Sequence, residues 1–191
     1  MAEPLEDAVE SEDKKVALLI AILALFLALA EAGAKNADHR ATELNIESSD
    51  LYNFYQAKKV RSSIAETAAE ALAAERGAVS DPQVQAAIDK QIASWKAAVA
   101  RFENDPKTPE DSLDAIQERA KQASEGRELS NRKLEHYEYS SGALQIAVVL
   151  ASAAIITGVA ALAWIAGGLG LIGAALLGLG HLAPTLLPFF G

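Results

Sequence analysis

The sequence predicts an all-α membrane protein: three transmembrane helices, with a long helical extramembrane region between the first and the second. Three observations carry this. Residues 16–30 and 143–191 contain no Asp, Glu, Lys or Arg, although such residues make up 23% of the chain. Between those stretches apolar residues recur in steps of three and four, the period of a helix face, and no β-branched alternation suggests strands. Third, glycine crowds the C-terminal stretch, as in AGGLGLIGAALLGLG at 166–180. Each glycine costs a helix in water about 1 kcal/mol relative to alanine, whereas in lipid small residues let helices approach closely.

Bulk properties narrow the function. The net charge of −9 argues against a nucleic-acid partner, because phosphate binding needs a positive surface. The absence of cysteine excludes disulfides, thiolate metal sites and S-palmitoylation. Ala2 excludes N-myristoylation.

Residues 1–13, MAEPLEDAVESED, read as an acidic, solvated N-terminal tail. Residues 14–34 form the first span: Lys14 and Lys15 precede the run VALLIAILALFLALA, and Ala32, Gly33 and Ala34 extend it past Glu31. About nineteen residues at about 1.5 Å each match the hydrocarbon thickness. A cleavable signal peptide is the competing reading, disfavoured by the length of the run and by the acids that precede it.

Residues 35–142 are rich in Ala, Glu, Gln, Lys and Arg, and are expected to form a helical hairpin or bundle with helices near 40–76, 82–103 and 111–141. The expected core positions are Leu44, Leu51, Phe54, Ala57, Val60, Ile64, Ala68 and Leu72 in the first helix. The second series is Val84, Ile88, Ile92, Trp95, Val99 and Phe102. The third is Leu113, Ile116, Ala120, Ala123, Ser130, Leu134 and Tyr137. GAVSDP at 77–82 supplies a stop and a start: Gly77 as C-cap, Ser80 or Asp81 as N-cap, Pro82 in the first turn. NDPKTPEDS at 104–112 holds two prolines and should be extended. If both ends of the region meet the same face of the membrane, a plain up-down-up bundle is excluded. The linker at 104–112 is then expected to climb, so that the third helix can descend.

Residues 143–166, ALQIAVVLASAAIITGVAALAWIA, are the second expected span, and residues 169–187 the third, with 188–191 as the C-terminal end. Gly167–Gly168 is the expected turn. Tyr137, Tyr139 and Trp164 read as an interfacial aromatic belt, Tyr139 and Trp164 lying about 37 Å apart on one helix. Ala166, Gly170, Ala174 and Gly178 recur every four residues and are expected to form a transmembrane packing stripe. It faces a similar one at Ala147, Ala151, Ala154 and Gly158, or else a second subunit.

Candidate sites are few. LYNFYQAKKVR interleaves Tyr52, Phe54 and Tyr55 with Lys58, Lys59 and Arg61, a possible partner patch. The bland reading has the aromatics packed on the third helix and the cations solvated. His136 in HYEY has too few neighbours for a metal site. His181 is ionisable at membrane depth, but Pro184 places it near an interface. Glu110, Asp111 and Asp114 suit a helix N-terminus better than paired catalytic carboxylates. No GxSxG, P-loop, HExxH or dinucleotide fingerprint occurs, so no catalytic residue, cofactor, metal or small-molecule substrate is expected.

Three stretches, AILALFLALAEAGAK at 21–35, ESSDLYNFYQAKKVR at 47–61 and HYEYSSGALQIAVVLASAAIITGVAALAWIAGGLG at 136–170, together resemble the bacterial DUF4337 family of small membrane proteins. The resemblance covers nearly the whole chain and implies a membrane location and this segment order. The family has no assigned activity, so it lends no functional residue.

Orientation signals conflict. Lys14 and Lys15 favour an inside N-terminus, while Lys35, Arg40, Arg127, Arg132 and Lys133 favour an inside helical region. Long domains translocate largely regardless of charge, which favours the first signal and a periplasmic helical region in a bacterial inner membrane. The expected role is structural: a scaffolding or accessory subunit, coiled-coil-like and oligomer-forming, whose partners are the lipid bilayer and another protein or further copies of itself. The alternative is an oligomeric channel or transport accessory packed through small residues, whose only polar lining in the last two spans would be Gln145, Ser152, Thr157 and His181.

Overall fold

A computed structural model describes residues 3–186, with side chains from Asp13 onward. It is all-helical: α1 (Glu3–Arg76), α2 (Pro82–Glu103), a 3-10 turn (Pro109–Asp111), α3 (Leu113–Thr157) and α4 (Ala160–Leu182). Three of them, α1, α3 and α4, are long and apolar enough to cross a membrane. The expected tail lies within α1 from Glu3 on, and the expected segment at 188–191 falls outside the described residues.

α1 is unbroken because Gly33 is its only glycine and no proline follows Pro4 before Pro82. Beyond Leu23 and Ala30, its buried side chains are Ala37, Ala41, Leu44, Ser48, Leu51, Lys58, Ser62 and Ala69. With half-buried Tyr55, Ala65 and Leu72 they alternate steps of four and three, a seven-residue repeat. This corrects the expected core of this helix: Leu44, Leu51 and Leu72 lie on the inner face, but Phe54, Ala57, Val60 and Ile64 are exposed. Small residues fill the inner face because close helix approach leaves no room for larger ones, so apolarity alone misassigns it.

The chain packs as two units, Met1–Thr42 with Gly126–Gly191, and Glu43–Glu125. In the second unit, α1 ends at Arg76, whose guanidinium grips Asp89 of α2 across the turn, Nη2 to Oδ2 at 2.8 Å. Asp81 caps α2, accepting from the Gln83 amide at 2.8 Å, with Pro82 in the first turn. α2 therefore folds back along α1, and its last turn brings Arg101 and Phe102 beside Lys58. The linker does not climb. Asp105 closes a turn onto Thr108 and Lys107, and the 3-10 turn follows. Ser112 then caps α3, accepting from the Ala115 amide at 3.2 Å. α3 starts beside the middle of this part of α1: Ile116 and Ala120 pack on Leu51, and the Ser48 hydroxyl donates to the Ala120 carbonyl at 3.3 Å. α1 outruns α2, so α2 and α3 share its length in succession and no extended ascent is needed.

In the first unit, α1, α3 and α4 form a three-helix bundle around Leu23, Ala30, Leu144, Ala147, Ala151 and Ala166. α3 and α4 are joined by Gly158 and Val159 alone. Gly158 has a φ of 68°, the left-handed conformation open to glycine, and its amide donates to the Ala154 carbonyl at 2.9 Å. This moves the expected turn. Gly167–Gly168 lies inside α4, the second apolar helix stops at Thr157 rather than 166, and the third starts at Ala160 rather than 169.

Candidate functional site

Three glycines in α4 hold the bundle together. A Cβ added at Gly173 would stand 2.7 Å from Leu144 Cγ, and one at Gly180 would stand 2.8 Å from His136 Cβ. A Cβ at Gly170 would collide with Leu23 of α1. The Ser140 hydroxyl donates to the Gly173 carbonyl at 2.7 Å, tying α3 to α4.

The buried positions of α4 are Ala166, Gly170, Gly173 and Gly180. Of the expected packing residues, Ala166 and Gly170 are therefore in place, and Ala174 and Gly178 are only half-buried. Successive steps of four drift about 40° each around a helix, so a strict four-residue stripe leaves the interface after two members. Gly158 is the turn, not a packing residue. Gly173 and Gly180 were missed, although alternating steps of four and three from Ala166 would have led to Gly173.

The expected aromatic belt also splits. Tyr137 is buried against Gly33. Tyr139 and Trp164 remain exposed, Trp164 at 82%. Trp164 belongs to α4 and lies near Lys15, so the 37 Å separation expected along one helix does not exist.

The polar groups of the apolar segments are tied down. Ser152 and Thr157 donate to carbonyls of their own helix at 2.8 and 2.7 Å, and Gln145 donates to Glu31 of α1 at 3.4 Å. His136 is buried with Nδ1 at 2.8 Å from the Arg132 carbonyl, so that nitrogen carries the proton.

At the end of the bundle remote from Gly158, the three helices part around a cavity of about 630 Å3. α1 lines it with Phe26, Leu29, Asn36 and Arg40, α3 with Lys133 and Tyr137, and α4 with Leu177, Gly178 and His181. Among the described residues lining it there is no Asp or Glu.

In the second unit the expected partner patch is divided. Tyr52, Phe54, Lys59 and Arg61 are exposed, while Tyr55 packs toward Leu51 and Ile116. Lys58 is buried, donates to the Asp111 carbonyl and lies 5.6 Å from the Phe54 ring centre. The bland expectation is thus met in part: Tyr55 packs on α3 and Lys59 and Arg61 are solvated, but Tyr52 and Phe54 face outward and Lys58 is taken inward to hold the start of α3. Glu110 and Asp111 stand in the 3-10 turn and Asp114 in the first turn of α3. Among the described residues no cluster of His, Asp or Glu is built to hold a metal ion.

No curated protein and no solved structure matches the chain significantly. A family model does, over residues 12–183, from within α1 to the end of α4. The chain belongs to that family, described as Domain of unknown function (DUF4337).

Proposed function

We propose that this protein is a three-span integral membrane scaffold or accessory subunit, whose helical unit at 43–125 docks another protein or a further copy of the chain. The carrying observation is the outer face of α1 in that unit. Val60 and Ile64, 57% and 64% exposed, lie on it beside Arg61, and Tyr52 and Phe54, each 43% exposed, flank it on opposite sides. Large aromatic and aliphatic side chains beside cations are the composition of protein-docking surfaces. The seven-residue repeat of the inner face supports coiled-coil-type packing of α1.

The membrane reading is supported by the large apolar side chains that the uncharged segments turn outward. Leu18, Leu25, Val149 and Leu171 all face away from the bundle. We place the chain in a bacterial inner membrane, with residues 43–125 on the periplasmic side. The channel alternative has less support, because Gln145, Ser152 and Thr157 spend their hydrogen bonds within the bundle.

Photo-crosslinkers at Phe54 and Ile64 in native membranes test the docking surface, with Glu70 as a control position. A discrete crosslinked species from the first two sites but not from Glu70 is expected. Equal, diffuse labelling from all three would remove the proposal.

A further inference from the structure

We infer that the cavity between α1, α3 and α4 binds a phospholipid with an anionic head group drawn from the surrounding bilayer; this rests on the three-span reading above. The cavity changes character along its length. Its lower wall is Phe26 and Leu29, within the uncharged run of α1, and Leu177 of α4. Its upper wall carries Arg40, Lys133 and His181, one basic group from each helix. Leu29 and Arg40 are about 16 Å apart along α1, so the cavity straddles the level at which the chain passes from apolar to charged.

That layout fits an amphiphile standing upright: phosphate among the basic groups, first carbons of the acyl chains against Phe26 and Leu29. A soluble anion would match the upper wall and leave the lower one wet. The positive lining opposes the net charge of −9, so it is a local feature and not the general character of the surface.

Gly178 is a second, independent observation. Gly173 and Gly180 on the same helix are small because other helices press on them. A Cβ at Gly178 would meet nothing within 4 Å, yet Gly178 lines the cavity. Its small size keeps the space open rather than closing a helix contact.

The test uses the full-length chain, delipidated in detergent and titrated with phosphatidylglycerol or phosphatidylcholine of identical chains, read by native mass spectrometry. Phosphatidylglycerol should be retained preferentially. Arg40→Gln with Lys133→Gln should weaken it by roughly 25-fold, taking about fivefold per interfacial cation. Arg119→Gln with Lys121→Gln, the same charge change outside the cavity, should leave binding unchanged. Gly178→Leu should lower retention of both lipids without altering helix content. Equal retention of the two lipids by the unmodified chain would overturn the inference, as would equal damage from the two charge pairs. Complete displacement by millimolar inorganic phosphate would also overturn it, revealing a free-anion site. Carbonate washing separates the two readings. A chain stripped from vesicles loses both, and a chain that stays but shows no lipid preference loses only this one.

Discussion

Tyr137 lays its ring over Gly33: a Cβ at Gly33 would stand 3.1 Å from Cε1, Cε2 and Cζ of that ring. A flat ring that equidistant from one backbone position is stacked on it face-on, and it fixes the separation of α1 and α3 at that level. Gly33→Val should force ring or helix apart and cost about 1–3 kcal/mol. Tyr137→Ala should leave a cavity and cost about 3–5 kcal/mol. Thermal unfolding of the detergent-solubilised chain measures both, and wild-type midpoints would show the contact to be incidental.

Neighbouring glycines of α4 should respond oppositely to alanine. At Gly173 the new methyl meets Leu144 and the Ser140 carbonyl, so a loss of about 1–3 kcal/mol is expected. At Gly178 the methyl meets nothing, and a gain of up to about 1 kcal/mol from helix propensity is expected. The same melting experiment ranks them, and an equal loss at both would mean the helices are not packed in this register.

Gly158→Ala places a Cβ in a left-handed backbone at a φ of 68° and should cost about 1–2 kcal/mol, although the methyl itself has room. Gly168→Ala, also in open space but with ordinary helical φ, should cost nothing. Comparing their melting curves tests whether the chain reverses at 158 rather than at 167–168.

The Arg76–Asp89 pair makes a pH prediction. The hydrogen bond from Arg76, aided by its charge, holds the Asp89 carboxyl below its ordinary value of 3.8, and slight desolvation opposes this. A depressed carboxyl binds fewer protons folded than unfolded, so its stabilisation is present above the ordinary value and is lost as pH falls through the lower folded value. Amide exchange at residues 77–81 should therefore show a full and constant contribution from this pair between pH 7 and 5. The protection it confers should fade below about pH 4. Asp89→Asn should remove that dependence. Both side chains are solvent-exposed, at 42% and 50%, so the effect on global unfolding should be small.

Legibility varied with the range of the forces involved. Asp81 and Pro82 announce a helix start by covalent geometry and one local hydrogen bond, which need no tertiary partner. The three apolar helices were equally visible, because uncharged length is a one-dimensional property. Gly158 was not. Gly167–Gly168 is the stronger stop by composition, but a glycine reverses a chain only where its φ turns positive. The helix must run on through that pair for Ala166 and Gly170 to be buried together. The inner face of α1 was half legible, since close helix approach selects Ala41, Ser48 and Ser62 over Val60 and Ile64. Arg40, Lys133 and His181 were each visible alone, but not their convergence on one cavity, because they come from three helices remote in sequence and no spacing rule connects them.

The brevity of the link at Gly158 and Val159 has a topological cost for communication. On the three-span reading, that side of the bilayer displays no loop between the second and third crossings that a soluble protein could grasp. Anything there that senses this molecule must take hold of the stretch leading into Lys14 and Lys15, or else act through the lipid itself.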